Sequence, residues 1–297
     1  MTAAWQAVLQ RRGSALGVPG LLRIAAVQMN SGADVQQNLQ RIDGLLGRAA
    51  SRGVAMAFLP ENLAIMGAKD EDKLAHAEDP GSGPIQEFLA DAARRHQLWV
   101  VAGSLPLKSP QHGKCFGASI VYDSDGKASP VYRKIHLFDV DLPERDEWYR
   151  ESATMDCGDD LVVVPTPLGQ LVLSICYDLR FPEHYRRLVD DGATAFSVPA
   201  AFTAATGAAH WHSLLRARAI ENLAYVIAAG QYGSHASGRT TFGHSIIIDP
   251  WGQVIAEKAV GDAVVDADID TALPGKLRAE FPVLEHRRIG PGRNGIG

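Results

Sequence analysis

The chain has 297 residues, 46% of them hydrophobic and 21% charged, with a formal net charge of -5. That is ordinary globular composition, and the mild acidity with no basic stripe argues against a nucleic-acid partner. No apolar run approaches the roughly 20 residues that cross a bilayer, and three cysteines (Cys115, Cys157, Cys176) are too few, and odd in number, for a disulfide scaffold, which points to a reducing cytoplasmic setting.

Residues 1–20 carry Arg11 and Arg12 but lack the apolar core of a signal peptide. They read as a poorly ordered extension with a short helix around Ala4 to Gln10. No linker or low-complexity break divides 21–297, so a single domain is expected there. Leu21 to Met29 reads as a first buried strand, and Val35, Leu39, Ile42, Leu45, Leu46 and Ala49 recur at helical spacing, predicting a helix over Val35 to Arg52 that Gly53 ends. A strand at Ala55 to Leu59 runs into Pro60 and Glu61, and a helix follows from Ile85 to His96. Further strands are expected at Leu98 to Leu105, Phe116 to Tyr122 and Val131 to His136. Leu137 to Asp160 is charged and irregular, and a loop of that length in a compact domain is usually functional or disordered.

Strands at Leu161 to Val164 and Leu171 to Ile175 lead to Cys176, with a helix from about Glu183 to Val189 behind it. The pattern continues with a strand at Ala195 to Pro199 and a helix marked by Trp211, Leu214, Leu215, Arg218, Ala219 and Asn222. Strands at Tyr225 to Gly230, Ser245 to Ile248, Val254 to Glu257 and Ala263 to Ile269 precede a short helix and a Gly-rich tail. Strands alternating with helices, together with hairpin-like pairs, argue an α/β layered fold.

The apolar strand before Cys176 stops abruptly, and Pro182 and Glu183 occupy first-turn positions of the next helix. A cysteine at such a junction lies near backbone N–H groups that a helix start leaves unpaired, and these favour a thiolate. A lone cysteine is nevertheless most often a buried structural residue. Catalysis would need a base to take the thiol proton and donors for the oxygen of the attacked carbonyl. Glu61 stands at another strand end, and strand alternation would put Tyr132, Lys134 and His136 on one face. Arg180 and Glu183 read as a structural pair at the helix start, with substrate contact as the alternative. His210 and His212 are two apart on a helix and do not share a face, while His136 and His244 lack a Cys or carboxylate at metal-ligand spacing. No metal and no cofactor are expected.

Taken together, these segments resemble the nitrilase superfamily of carbon–nitrogen hydrolases. Phe58-Leu59-Pro60-Glu61-Asn62, Tyr132-Arg133-Lys134-Ile135-His136-Leu137-Phe138-Asp139 and Ile175-Cys176-Tyr177-Asp178-Leu179-Arg180-Phe181-Pro182-Glu183 stand in the family's order. Thr206 to Trp211, Arg216 to Asn222, Gly243 to Ser245 and Asp249 to Gly252 extend the likeness to about Leu21 to Arg288. The resemblance implies a four-layer α-β-β-α sandwich and a Glu–Lys–Cys site. In it Glu61 would be the general base and Cys176 the nucleophile, while Lys134 and the backbone N–H of Tyr177 would hold the oxyanion. Ammonia would leave, and water would then hydrolyse a thioester. A second family glutamate maps to Glu151, with Glu147 as rival. The segment from Ala200 to Gly207, including Phe202 and Thr203, would border the pocket.

Tyr177 and Asp178 replace the Trp-Glu that usually follows the cysteine of nitrile hydrolysers, so the chain resembles the amidase branch. Within that branch, Phe281 to Arg288 and Val226 to Gly233 look more like the enzymes of metabolite repair that act on deaminated glutathione than like ω-amidases, which act on α-keto acid amides such as α-ketoglutaramate. The resemblance implies a small anionic amide substrate, a cationic pocket group besides Lys134, no membrane or nucleic-acid partner, and at least a homodimer.

Overall fold

The computed structural model describes residues 20–142 and 147–289, so the expected extension and its helix around Ala4 to Gln10 lie outside the described residues. Sixteen strands are formed: β1 (Leu21–Gln28), β2 (Met56–Phe58), β3 (Trp99–Lys108), β4 (Cys115–Tyr122), β5 (Tyr132–Arg133), β6 (Asp139–Leu142), β7 (Glu147–Arg150), β8 (Val163–Thr166), β9 (Gly169–Leu173), β10 (Ala195–Ser197), β11 (Tyr225–Ala228), β12 (Tyr232–Ser234), β13 (Thr240–Phe242), β14 (Ser245–Ile248), β15 (Val254–Lys258) and β16 (Ala263–Asp270). The helices are α1 (Val35–Ser51), α2 (Pro84–His96), α3 (Pro182–Val189), α4 (Ala204–Asn222) and α5 (Leu273–Glu280).

Local chemistry accounts for the helix limits. Asp34 caps α1 by accepting from the Gln37 N–H at 3.0 Å, and Gly53 at φ 73° follows its end. Pro84 and Pro182 open α2 and α3, where a missing N–H costs nothing. Thr203 caps α4 through the Thr206 N–H.

Twelve of these strands assemble into two six-stranded sheets, ordered β16-β1-β2-β3-β4-β5 and β15-β14-β11-β10-β9-β8, and β6–β7 and β12–β13 form separate two-stranded pairs. Each has three parallel strands at its centre, β1-β2-β3 and β9-β10-β11. Alternation along the strands decides the layers. Ala25, Val27, Ala57, Val100 and Ala102 face α1 and α2 together with Leu45, Leu46 and Leu89. Their neighbours Ile24, Ala26, Met56, Phe58 and Val101 face the second sheet, whose residues Leu171, Phe196, Val226 and Ile247 join Tyr185, Trp211 and Leu215 of α3 and α4 in one core. The result is the expected α-β-β-α sandwich. No helix among the described residues is long and apolar enough to cross a membrane.

Three local readings change. The segment expected as a strand to His136 is extended only over Tyr132–Arg133, so Lys134 lies just beyond the strand. The expected loop from Leu137 to Asp160 contains the antiparallel pair β6–β7 and a 3-10 turn at Glu151–Ala153. A second hairpin, β12–β13, occupies residues that showed no strand alternation.

Candidate active site

The carboxyl ends of the central parallel strands converge, as ligand sites in such sheets commonly do. After β2 the chain passes through Leu59 and Pro60 to Glu61, and Asn62 turns it with φ 54°. β3 runs hard against this loop: a Cβ on Gly103 would lie 2.1 Å from the Leu59 carbonyl oxygen, so only glycine fits. The loop is also held from the second sheet, where Gln231 Nε2 donates to the Glu61 carbonyl oxygen at 2.9 Å. The Glu61 carboxylate is thus buried in a fixed position, 5% exposed.

Lys134 is equally buried. Its backbone is pinned by Lys134 N–H to the Gly117 carbonyl and Gly158 N–H to its own carbonyl, both at 2.8 Å. Nζ donates to Glu61 Oε1 at 2.8 Å and to Glu151 Oε1 and Oε2 at 2.8 and 2.9 Å. Burial alone would push the ammonium's pKa down, but Glu151 and Glu61 outweigh it and hold Lys134 well above its ordinary value. Burial likewise works against the Glu61 charge, and Lys134 reverses that, leaving the carboxylate below its usual range. Glu61 Oε2 accepts the Ala201 N–H at 2.7 Å.

Cys176 opens a 3-10 turn, Cys176–Arg180, three residues after β9 ends. Its φ of 47° is rare for a residue with a side chain, and its N–H is fixed to the Pro199 carbonyl at 2.8 Å. Tyr177 follows at the turn's second position, where an N–H has no acceptor inside the turn. The expected thiolate is not the resting form. Burial, and then the Glu61 charge, push the Cys176 thiol well above its ordinary value, against the opposing pull of Lys134. Burial and the neighbouring carboxylate thus favour a neutral thiol beside a charged Glu61.

One carboxylate ties these pieces together. Asp178 is fully buried and accepts from Tyr132 Oη at 2.6 Å, the Ile175 N–H at 2.8 Å, and the His136 N–H and Nδ1 at 3.1 and 2.7 Å. Its contacts bracket Lys134 on both sides and start the turn of Cys176. Burial opposes its charge, and His136 and its other donors still hold it below the ordinary aspartate value.

Glu61, Lys134, Glu151, Cys176, Tyr177, Phe202 and Thr203 all line one cleft. Glu151 also accepts the Phe138 N–H at 2.6 Å. Its rival Glu147 lies in β7, and its side chain is outside the described set. Arg180 does not pair with Glu183. Its guanidinium lies over the Tyr177 and Phe202 rings, touches His210 Nδ1, and lines the cleft. Arg239 is a lining residue that sequence reasoning missed. Cys115 is buried against Met155, its thiol pushed up to about 11 by burial, while Cys157 is exposed.

Folding gives His136 and His244 the carboxylate neighbours that their sequence spacing does not show. His136 meets Asp178, and His244 and His212 share Glu257 Oε1 at 2.6 and 2.8 Å. Sequence spacing could not show this, because α4, the start of β14 and β15 meet only on folding.

The carbon–nitrogen hydrolase family profile matches residues 23–279. A deaminated glutathione amidase from Yersinia enterocolitica is 39% identical over 267 residues, covering 90% of this chain and 93% of its own. Among solved structures, the Caenorhabditis elegans NitFhit protein superposes with a TM-score of 0.84 at 37% identity, over 92% of this chain and 66% of that longer one. Saccharomyces cerevisiae Nit3, a member of branch 10 of the nitrilase superfamily, gives 0.81 at 30% identity over 93% and 100%.

Proposed function

The chain belongs to the carbon–nitrogen hydrolase family and is an amidase of that family, and from that premise we propose that it hydrolyses deaminated glutathione through a thioester on Cys176. The observation that carries the chemistry is the buried Lys134 ammonium, held between Glu61 and Glu151 in the cleft that contains Cys176.

The steps follow from that geometry. Glu61, charged and in the same cleft as the thiol, takes its proton as the sulfur attacks the amide carbonyl. The carbonyl oxygen becomes an oxyanion, met by the Lys134 ammonium and the Tyr177 N–H. Glu61 returns the proton to the departing nitrogen, the C–N bond breaks, and an acyl thioester remains. Water, deprotonated by the same carboxylate, then attacks the thioester and releases the acid and the thiol. Glu151 acts by orienting Lys134, and its bonds to Nζ and to the Phe138 N–H support that role. Phe202 and Thr203 border the bound substrate.

Deaminated glutathione carries a keto group in place of the amino group, and its scissile amide joins the 2-oxoglutaryl unit to cysteinylglycine. The leaving group is then the cysteinylglycine amine, not the ammonia that a primary amide would release. The names of relatives from Yersinia enterocolitica and Homo sapiens, 39% and 37% identical, support this substrate. The rival substrate is the five-carbon α-ketoglutaramate, on which ω-amidases act. Release of 2-oxoglutarate from both amides, measured beside turnover of a simple nitrile, tests the choice. A higher kcat/KM for α-ketoglutaramate would overturn the substrate assignment and leave the mechanism intact.

The same reading makes the protein a single-domain cytoplasmic enzyme that works as a homodimer. Exposed Ile220, Trp251 and Phe281, at 47%, 43% and 48%, support an association surface. Light scattering that finds only monomer at micromolar concentration would contradict it.

A further inference from the structure

The catalytic cluster carries two carboxylates, Glu61 and Glu151, against one ammonium, with the Cys176 thiol uncharged. An anionic substrate entering this cleft needs positive charge that Lys134 has already spent on its two partners. Arg239 meets that need.

It lies in the turn joining β12 to β13, and the hairpin is fastened on several sides. Phe242 N–H donates to the Phe202 carbonyl at 2.9 Å, and His235 Nε2 meets Thr241 Oγ1 at 2.7 Å. The guanidinium donates through Nη2 to the Ala201 carbonyl at 2.7 Å and stacks 5.1 Å from the Tyr149 ring centre. The N–H of that same Ala201 holds Glu61, so a single residue links the arginine to the base. Its Nε is buried with no acceptor, and no carboxylate among the described residues lies within ion-pair distance of it. A guanidinium fixed at the wall of a cleft, with no carboxylate at ion-pair distance among the described residues, suits a carboxylate held by two parallel hydrogen bonds. Arg180 differs, since its cation is already spread over two aromatic faces and a histidine nitrogen.

We propose that Arg239 receives a carboxylate of the substrate and is the specificity-determining residue of this amidase. The inference rests on the amidase reading above and adds to it the group that selects anionic amides. That carboxylate belongs either to the acyl half of the substrate or to its leaving group, and three small amides separate the two. 2-Oxoglutaramate carries a carboxylate on the acyl side, N-butyrylglycine carries one on the leaving side, and butyramide carries none.

The test compares kcat/KM for all three with wild type, Arg239→Gln, Arg239→Lys and Arg180→Gln. Arg239→Gln is expected to lose about tenfold or more on the charged amide whose carboxylate it holds, over and above whatever it loses on butyramide. Which charged amide suffers identifies the half. Arg239→Lys keeps the charge without the fork and falls between, and it decides the question if the glutamine variant does not fold. Three results overturn the inference: an equal loss on all three amides, which marks a general electrostatic or structural role; no loss on any; or selectivity that disappears with Arg180→Gln instead. Failure of the wild type to hydrolyse any amide overturns the amidase reading itself, and this inference with it.

Discussion

Replacing Lys134 by methionine removes the one ammonium between Glu61 and Glu151. Three hydrogen bonds of 2.8 to 2.9 Å disappear, and two carboxylates remain in a site where Glu61 is 5% exposed and the Glu151 side chain 15%. Breaking a buried pair by deleting one partner costs about 3–5 kcal/mol, because the other charge is left uncompensated. At about 2–4 °C per kcal/mol for a large domain, the melting temperature should fall by roughly 6–20 °C at pH 7.

The pH dependence supplies the sharper test. In the wild type Lys134 holds the Glu61 pKa below its ordinary value despite burial. A depressed carboxylate contributes stability above its unfolded pKa and loses it as the pH falls through the folded one. Without the lysine, burial becomes the leading influence and raises Glu61 above its unfolded value, so protonation then favours the folded state. The deficit of Lys134→Met should therefore shrink between pH 7 and about pH 5. Calorimetric melting of both proteins across that range measures it. Adding Glu61→Gln and Glu151→Gln should restore most of the stability and none of the activity. A Lys134→Met protein that melts with the wild type at pH 7, or whose deficit grows on acidification, refutes the electrostatic account.

Three further outcomes are expected. Asp178→Asn cannot accept from all the donors that the carboxylate gathers, and displacement of Cys176 and Lys134 by a fraction of an ångström should lower kcat on the order of a hundredfold with KM much less affected; a change confined to KM would contradict that positioning role. Gly103→Ala brings a methyl to within 2.1 Å of the Leu59 carbonyl and 2.3 Å of the Pro60 carbonyl, and denaturant titration should show a loss of about 1–3 kcal/mol or more. Because Lys134 overrides burial and keeps Glu61 ionised below its usual range, kcat/KM should stay level from pH 7 toward pH 5 and fall only below about 4.5; an acid limb near neutrality would assign the base elsewhere.

How far the sequence could be read depended on the distance over which each feature is defined. Glu61 and Cys176 were visible because each stands where an apolar run stops at a turn signal, and the family model and solved relatives bear out the resemblance and the layered fold. Asp178 was not legible as a clamp, because its partners Tyr132 and His136 lie 46 and 42 positions away. Arg180 beside Glu183 looks like a local ion pair, yet the aromatic faces of Tyr177 and Phe202 hold it instead. The β12–β13 hairpin has three-residue strands around Gly233 and Gly238, too short for alternation to show, and so Arg239 went unseen. Charge hid β6–β7, since Asp139, Asp141, Glu147 and Arg150 read as solvated loop. The state of the thiol also escaped, because burial and the Glu61 charge act from outside the turn that carries Cys176.

The proposed mechanism requires a covalent acyl intermediate on Cys176. Rapid quenching of the enzyme during turnover of deaminated glutathione, followed by peptide mass spectrometry, looks for it. A 2-oxoglutaryl adduct is expected on the peptide containing Cys176, none on those containing Cys115 or Cys157, and no turnover by Cys176→Ala. Turnover that persists in Cys176→Ala, or an adduct on another residue, would contradict it.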